Sequence, residues 1–199
     1  MKAIRLTLIV VIVLASALVL PAEAQIQYNQ INVSIPVGGS YNLDVNGDGV
    51  IDFTIQSKLL QGYCQNGDEY SWTLSVTPAS GNGVESADID SDYAAALPYG
   101  VTVNSTQSFY PSYSVMAELY WGSCGTGALG DWLNQPTRYL GLQFKAQDGT
   151  VYYGWAKLSA VAYIDQDEHL HASTLLTGYA YETTAGEGIL TGSTTNNVP

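Results

Sequence analysis

Short runs in which apolar and polar residues alternate recur along most of the chain, and this period of two is the feature that most restricts its fold. Examples are Ile31 to Val37, Tyr70 to Thr77, Tyr113 to Trp121 and Leu140 to Lys145. Successive side chains of a β-strand point to opposite faces, so each run predicts a strand with one buried face. From Val151 to Val161 both alternating sets are mostly apolar or aromatic, which predicts a central strand covered on both sides.

Turns rich in glycine, asparagine and aspartate separate these runs, and no helical period is sustained after residue 24. Roughly nine to eleven such strands predict an all-β fold, a single antiparallel β-sandwich of jelly-roll-like or immunoglobulin-like type. We assign residues 25–191 to this domain. The polar tail 192–199 is predicted to be disordered.

The segment 1–24 has the pattern of a secretory signal peptide. Two basic residues precede the apolar core Leu6 to Leu20, and Ala22-Glu23-Ala24 forms a small-residue cleavage site before Gln25. The apolar run of about fifteen residues is shorter than the roughly twenty that span a bilayer. We therefore expect a secreted, extracellular protein with no membrane span in the mature chain.

The mature chain is strongly acidic. The full chain has 6 basic and 18 acidic residues, and removal of the signal peptide takes away Lys2, Arg5 and Glu23, which leaves a net charge of −13. A negative field of this size repels nucleic acid and anionic membranes and concentrates cations, so nucleic acid is not an expected partner. The same composition also suits a saline habitat.

Cys64 and Cys124 are the only cysteines of the chain. In an oxidising compartment an isolated pair is more typical of a disulfide than of a redox or metal site. We therefore predict that these two residues form a disulfide. Closing a loop of this length contributes about 4 kcal/mol of stability in the chain-entropy model.

The segment from Asp44 to Asp52 spaces oxygen donors at every second residue around Gly49, as a calcium loop requires. Calcium takes six to eight oxygen ligands, and a short loop supplies them when alternate residues converge while the chain turns at a glycine. The segment fits positions 1, 3, 5, 6, 7 and 9 of the EF-hand scheme. The predicted Ca²⁺ ligands are Asp44, Asn46, Asp48, Val50 (through its carbonyl) and Asp52.

The match to an EF-hand fails at position 12, where Ile55 replaces the bidentate glutamate, and the flanking residues alternate as strands do. A strand-flanked half loop with fewer ligands and weaker affinity is therefore expected. The alternative is a solvated turn without an ion, because Asp, Asn and Gly tolerate tight turns. Three carboxylates within nine residues repel one another without a counter-ion, which favours the calcium interpretation.

Three segments of the C-terminal half carry a family resemblance: Arg138 to Phe144 (RYLGLQF), Tyr153 to Leu158 (YGWAKL) and Gly178 to Ile189 (GYAYETTAGEGI). This succession resembles secreted bacterial β-sandwich proteins that are sorted by a PEP-CTERM (exosortase) signal. The resemblance implies an extracellular matrix or surface-associated protein. The Pro-Glu-Pro motif, apolar segment and basic end of that family are absent before Pro199, so free release is the simpler expectation.

Four carboxylates are candidates for glycosidase chemistry, which needs two carboxyl groups held across a sugar. They are Glu118, Asp131, Glu168 and Glu182. Nothing in the sequence pairs them, and Glu118 on a polar strand face and Glu182 at a turn are expected to lie at the surface. No catalytic residue is assigned, and the chain is not expected to be an enzyme.

Two further polar groups have a possible metal function and a simpler alternative. His169 and His171 lie on one face of a strand, where Asp167 could complete a transition-metal site, although an exposed strand is the favoured interpretation. The run Glu85, Asp88, Asp90 and Asp92 is interpreted as a solvated acidic edge that discourages strand pairing, with a second calcium site as the alternative.

The chain has 15 tyrosines and 4 tryptophans, and exposed aromatic rings stack on sugars. Alternation places most of them in the core. Trp132, in the loop before Pro136, and Tyr110 are the predicted surface candidates for ligand binding. The sequence therefore predicts a calcium-stabilised module with a structural or binding role. Its expected partners are an extracellular polysaccharide or a matrix protein, and the alternatives are a lectin-like carbohydrate-binding module and a polysaccharide hydrolase.

Overall fold

The alternating segments form thirteen strands within residues 25–88 and 91–195, the part of the chain that the computed structural model describes. The predicted signal peptide 1–24 and the tail residues 196–199 lie outside the described residues. In chain order the strands are β1 Ile26–Ile35, β2 Ser40–Leu43, β3 Phe53–Cys64, β4 Gly67–Pro78, β5 Gly83–Glu85, β6 Thr102–Val103, β7 Phe109–Tyr110, β8 Ser114–Gly122, β9 Gly127–Leu129, β10 Gln135–Lys145, β11 Val151–Ile164, β12 Leu170–Glu182 and β13 Ile189–Leu190. Five of them have two or three residues, too few to show a period, so counting runs in the sequence underestimated the number.

These strands build two large sheets and one small one, and every pair of neighbouring strands is antiparallel. The six-stranded sheet has the order β1-β12-β11-β10-β5-β7, and the five-stranded sheet has the order β2-β3-β4-β8-β9. The short strands β13 and β6 pair separately. The predicted all-β, antiparallel sandwich is confirmed.

The main core lies between the two large sheets. Trp72 and Leu74 of β4 belong to the same buried cluster as Leu140, Leu142 and Leu158 of β10 and β11, and all five are fully buried. Burial of side chains of this size contributes about 1.5–3 kcal/mol each relative to exposure. The apolar face of each alternating run is therefore the face that holds the sandwich together.

The prediction of a central strand covered on both faces is confirmed in β11, which lies between β10 and β12. Ala156 and Leu158 belong to the core between the sheets. Trp155 and Tyr153 belong to a second cluster on the opposite face, together with Val103. The chain after β5 therefore covers the outer face of the six-stranded sheet, which explains why β11 is apolar on both sides.

The predicted disulfide between Cys64 and Cys124 is confirmed, with an S–S distance of 2.05 Å and a Cα–Cα distance of 6.2 Å. It joins the end of β3 to the turn that follows β8. The bond therefore ties β3 to the chain after β8 at the end of the five-stranded sheet where the β3–β4 turn lies.

The folded domain continues past the boundary predicted at Thr191. The Thr191 side chain is fully buried and its hydroxyl donates to the Pro98 carbonyl at 2.7 Å. Gly192 packs so closely on the Tyr99 ring that a Cβ would overlap it, and the Ser193 N–H donates to the Leu190 carbonyl at 3.0 Å. The first residues assigned to the tail are therefore held by the domain.

Candidate metal centre

The segment from Asp44 to Asp52 is the loop that connects β2 to β3, and the Asp44 carboxylate organises it. Asp44 Oδ1 accepts the backbone N–H groups of Gly47 at 2.8 Å and Asp48 at 3.2 Å, and Oδ2 accepts that of Gly49 at 2.8 Å. Gly47 and Gly49 have φ angles of 75° and 86°, a region that favours glycine. The loop therefore winds tightly around the first of its predicted ligands.

The next two predicted ligands lie on the same turn. Asn46 Oδ1 accepts the Asp48 N–H at 3.1 Å, Asn46 Nδ2 donates to Asp48 Oδ2 at 3.2 Å, and Asp48 Oδ1 accepts the Val50 N–H at 2.9 Å. Asp44 and Asn46 are half-buried and Asp48 is exposed. The structure thus brings two carboxylates and one amide together at the surface, as the spacing predicts.

Asp52 differs from the other predicted ligands because it lies inside the protein, with 3% of its surface exposed. Its Oδ2 accepts the Val45 N–H at 2.9 Å, and its Oδ1 accepts Asn82 Nδ2 at 3.1 Å. Burial raises the pKa of Asp52, the bonds from Val45 and Asn82 lower it, and the charges of Asp44 and Asp48 raise it. One oxygen of this carboxylate therefore closes the loop on itself at Val45, and the other anchors the loop to Asn82 outside it.

The loop carries negative charge without a cationic side chain beside it. Among the described residues, the pairs of oppositely charged groups within 4.0 Å both involve Asp165, far along the chain from this loop. Backbone N–H groups satisfy the hydrogen-bonding capacity of Asp44 and part of that of Asp48, but they supply no full positive charge. This uncompensated pair of carboxylates is the main electrostatic property of the site.

A second polar group lies at the tip of the β11–β12 hairpin. Asp165 Oδ1 accepts the N–H groups of Asp167 at 3.0 Å and His169 at 2.9 Å. Asp165 Oδ2 is 2.8 Å from His171 Nε2 and 3.7 Å from His169 Nδ1. The hydrogen bond with His171 is the largest cause that lowers the pKa of Asp165, to about 2.

Asp165, Asp167 and His169 each place one potential metal-ligand atom within 4.8 Å of the others. This group differs from the one that the sequence suggested, because it contains Asp165 in place of His171. Asp165 was not among the possible ligands named from the sequence. The period of two shows that the histidines share a face, but not that the turn folds back towards them.

A shallow surface lies beside this hairpin tip. The rings of Tyr163 and His171, which are cross-strand partners, stack with centroids 4.8 Å apart and an interplanar angle of 11°. They border an open depression of about 400 Å³. Its lining residues are Val161, Tyr163, Leu170, His171, Ala172 and Ser173.

The prediction that Trp132 lies at the surface is wrong. Trp132 is 1% exposed, belongs to the core between the sheets, and its Nε1 donates to the Ala94 carbonyl at 3.0 Å. Neither face of its ring is available for a sugar. Tyr110 is half-buried in β7, where its partner is Val84. The loop around Trp132 shows no alternation, so the sequence carries no signal for its burial.

The four candidate catalytic carboxylates lie on different elements of the fold. Glu118 lies on β8 of the five-stranded sheet and accepts the Ser71 hydroxyl at 2.6 Å, whereas Glu182 lies on β12 of the other sheet. Asp131 and Glu168 are exposed. The expectation of a surface position is wrong for Glu182, which is 3% exposed.

Glu85 also departs from the solvated acidic edge predicted for it, because it is buried. Burial raises its pKa to about 7, and its Oε2 has no hydrogen-bond partner. A Cβ at Gly141 would lie 2.6 Å from that oxygen, so glycine at this position leaves room for the carboxyl group. Of the other residues in the run, Asp88 and Asp92 are exposed and Asp90 lies outside the described residues.

Comparison with protein-family models, with curated proteins and with solved structures finds no match to this chain. Within the residues that the structure describes, none forms a helix long and apolar enough to cross a membrane.

Proposed function

We propose that this protein is a secreted β-sandwich that Ca²⁺ stabilises, with a structural or binding role in the extracellular space. The observation that carries the proposal is the loop from Asp44 to Asp48. It gathers two carboxylates and one amide on one turn, with no cationic side chain within 4.0 Å among the described residues. Hard oxygen donors of this kind suit Ca²⁺.

The position of the loop gives the ion a route to stabilise the whole fold. The Asp52 side chain ties the loop to Asn82, and Asn82 Oδ1 accepts the Lys145 N–H at 3.0 Å at the end of β10. The Asp52 N–H also donates to the Leu43 carbonyl at 2.9 Å, which closes the loop onto β2. An ion that orders this loop would therefore strengthen a connection between the two large sheets.

Extracellular location is part of the proposal, and three features support it. The segment 1–24 has the signal-peptide pattern, the cysteines form a disulfide, and the mature chain is acidic enough to concentrate cations. The resemblance to PEP-CTERM-sorted proteins points to the extracellular matrix. We assign no catalytic role, and Glu118 and Glu182 lie on different sheets.

The calcium proposal is tested by thermal unfolding in excess calcium and in chelator. Binding only to the native state adds about 2.7 kcal/mol at one hundred times Kd, so calcium should raise Tm. Asp48→Asn removes one charge from the loop while its amide oxygen can still accept the Val50 N–H. This variant should lose most of the gain.

A matched control is Asp148→Asn. Asp148 is also exposed, and its Oδ1 accepts the N–H of Thr150, two residues ahead, at 2.9 Å, the same arrangement and distance as between Asp48 and Val50. The control should keep the full calcium response. Equal Tm values in calcium and in chelator for the unmodified protein would contradict the proposal.

A second candidate function is carbohydrate binding. The exposed stack of Tyr163 and His171 suits a sugar better than Trp132 and Tyr110, the residues predicted from the sequence. Its open depression is lined by both rings and by Ser173, and a combination of aromatic and polar groups suits a sugar. Tyr163→Ala should weaken binding on a glycan array. Tyr63→Ala, which removes a tyrosine that is 83% exposed on β3, should not.

A hydrolase would contradict the binding proposal. If the protein degrades a polysaccharide and Glu118→Gln abolishes the turnover, the protein is an enzyme and the proposal of a non-catalytic role is wrong.

A further inference from the structure

The first residue after the predicted signal peptide contacts a buried carboxylate. The Gln25 backbone nitrogen donates to Glu182 Oε1 at 2.8 Å, although the two residues are 157 positions apart in sequence. The Gln25 carbonyl accepts the Thr183 N–H at 2.8 Å. Gln25 is therefore held at the end of β12 by its nitrogen and by its carbonyl, directly before β1 begins at Ile26.

Glu182 has hydrogen-bond donors but no counter-charge. Its Oε1 also accepts the Thr184 N–H at 2.9 Å, and the residue is 3% exposed. In the described part of the chain, both ion pairs involve Asp165, and no Lys, Arg or His nitrogen lies within 4.0 Å of the Glu182 carboxylate. A buried carboxylate is costly unless a positive charge is placed beside it.

Removal of the signal peptide would create such a charge at the nitrogen that Glu182 already contacts. Hydrolysis of the Ala24–Gln25 peptide bond adds water, leaves a carboxylate on Ala24 and frees the Gln25 α-amine. An α-amino group has a pKa of about 7.7–8.0, so it is mostly protonated at neutral pH. We propose that Glu182 is the receptor for the α-ammonium group of the mature chain, so that signal-peptide removal completes the fold with a buried-carboxylate ion pair.

This proposal rests on the proposed export and adds a chemical consequence. An N-terminal glutamine can cyclise when its neutral α-amine attacks its own side-chain Cδ and expels ammonia, which forms pyroglutamate. A protonated amine held against Glu182 has no lone pair for this attack. The ion pair should therefore keep Gln25 in its open form and preserve the charge at the chain start.

The experiment compares four proteins in chelator: the chain beginning at Gln25 and a chain with one alanine before Gln25, each with Glu182 or with Glu182→Gln. The added alanine moves the α-ammonium away but leaves an N–H at Gln25. Glu182→Gln keeps an oxygen acceptor for that N–H and removes the charge, so the fold has its hydrogen bonds in every case.

The added alanine should lower Tm by about 2–4 °C with Glu182, a typical response to the loss of one modest interaction in a domain of this size, and should have no effect in the Glu182→Gln background. Glu187→Gln, which neutralises an exposed carboxylate nearby, should leave the effect of the added alanine unchanged. An equal effect of the alanine with Glu182 and with Glu182→Gln, or no effect in either background, would overturn the proposal.

Mass spectrometry provides a second measurement. During incubation, the chain that begins at Gln25 should lose ammonia several-fold more slowly with Glu182 than with Glu182→Gln, and equal rates would overturn the proposal. The exported protein should begin at Gln25, and another start residue would also overturn it. Because all comparisons are made in chelator, a failure here is separate from a failure of the calcium assignment.

Discussion

The Asp44 loop and the tip of the β11–β12 hairpin are both turns organised by an aspartate, but they differ in the charged and basic groups around that aspartate. In each, the first aspartate accepts backbone N–H groups from the residues that follow it, three for Asp44 and two for Asp165. Asp165 is also hydrogen-bonded to His171 and lies near His169, whereas no described Lys, Arg or His nitrogen lies within 4.0 Å of Asp44. Backbone amides shape both turns, but only the hairpin tip has basic side chains beside its aspartate.

This difference explains why we assign an ion to one turn and not to the other. In the hairpin tip, the Asp165 carboxylate has basic side chains beside it, with His171 Nε2 at 2.8 Å and His169 Nδ1 at 3.7 Å. The Asp44 loop has two carboxylates and no such side chain, and in our proposal its counter-charge is a Ca²⁺ ion from solution. The predictions below test this contrast, from the largest expected effect to the smallest.

The largest effect is expected at Glu85. Unlike the aspartates of the two turns, it has a buried carboxyl oxygen, Oε2, with no hydrogen-bond partner. Its pKa in the folded protein is about 7, above the ordinary value of 4.5. The folded protein therefore favours the neutral form of Glu85. The resulting contribution to the free energy of unfolding is fully present below about pH 4.5 and is lost as the pH rises through about 7. A shift of this size corresponds to about 3 kcal/mol.

Denaturant unfolding as a function of pH measures this contribution. Glu85→Gln should remove the loss of stability between about pH 4.5 and 7, because a neutral amide does not titrate. The same decline in both proteins would show that another group causes it.

The second prediction compares Asp44→Ala with Asp165→Ala in chelator. Asp44→Ala removes the acceptor of three N–H groups and should cost about 1–2 kcal/mol, as the loss of a helix cap does. Asp165→Ala should cost less because that turn is more exposed. Excess calcium should then stabilise the Asp165 variant as much as the unmodified protein, but not the Asp44 variant.

Chemical denaturation of the two variants and of the unmodified protein, with and without calcium, gives all six values. A calcium response that is retained in Asp44→Ala and lost in Asp165→Ala would reverse the assignment of the ion between the two turns.

The third prediction supplies the Asp44 loop with the positive charge that it lacks. Val50 is 47% exposed in this loop, so Val50→Lys places an ammonium group near Asp48 without disturbing the core. The variant should reduce the calcium-dependent rise in Tm, because the two positive charges compete for the same carboxylates. Val50→Gln, which is also polar but uncharged, should keep the response.

The smallest effect is expected at His171. The hydrogen bond with His171 lowers the pKa of Asp165 to about 2, so the contribution of this group to stability is present above the ordinary value of about 3.8 and is lost as the pH falls through about 2. His171→Ala should raise the pKa of Asp165, which NMR titration of the carboxyl carbon can follow. An unchanged pKa in the variant would show that backbone amides alone cause the shift.

The difference between the two turns also shows how far the sequence could predict the candidate site. The spacing of Asp44, Asn46 and Asp48 was sufficient to predict a common turn, because the hydrogen bonds of these three side chains join residues that are two to five positions apart. The partnership of Asp165 with His171 was missed. It spans six positions and depends on how tightly the hairpin closes.

The residues whose burial was mispredicted are covered by segments that are distant in sequence. Trp132 donates a hydrogen bond to a carbonyl 38 positions away, and Glu182 accepts one from the N–H of Gln25 at the other end of the domain. A strand period indicates which side chains share a face. It does not indicate which distant segment will cover that face, so loops and strand ends are assigned to the surface by default.

The sequence by itself determined the long alternating strands of this protein, its antiparallel sandwich, its disulfide and the turn of the Asp44 loop. Period-two alternation, a single cysteine pair and short-range hydrogen bonds are local or unique features. Only the tertiary structure decided that Trp132 lies in the core, that Glu85 and Glu182 are buried, and that Asp52 anchors the loop instead of lying at its surface. Those outcomes depend on the packing of one sheet against another and of the chain ends against each other, and that packing joins residues between which the sequence shows no pattern.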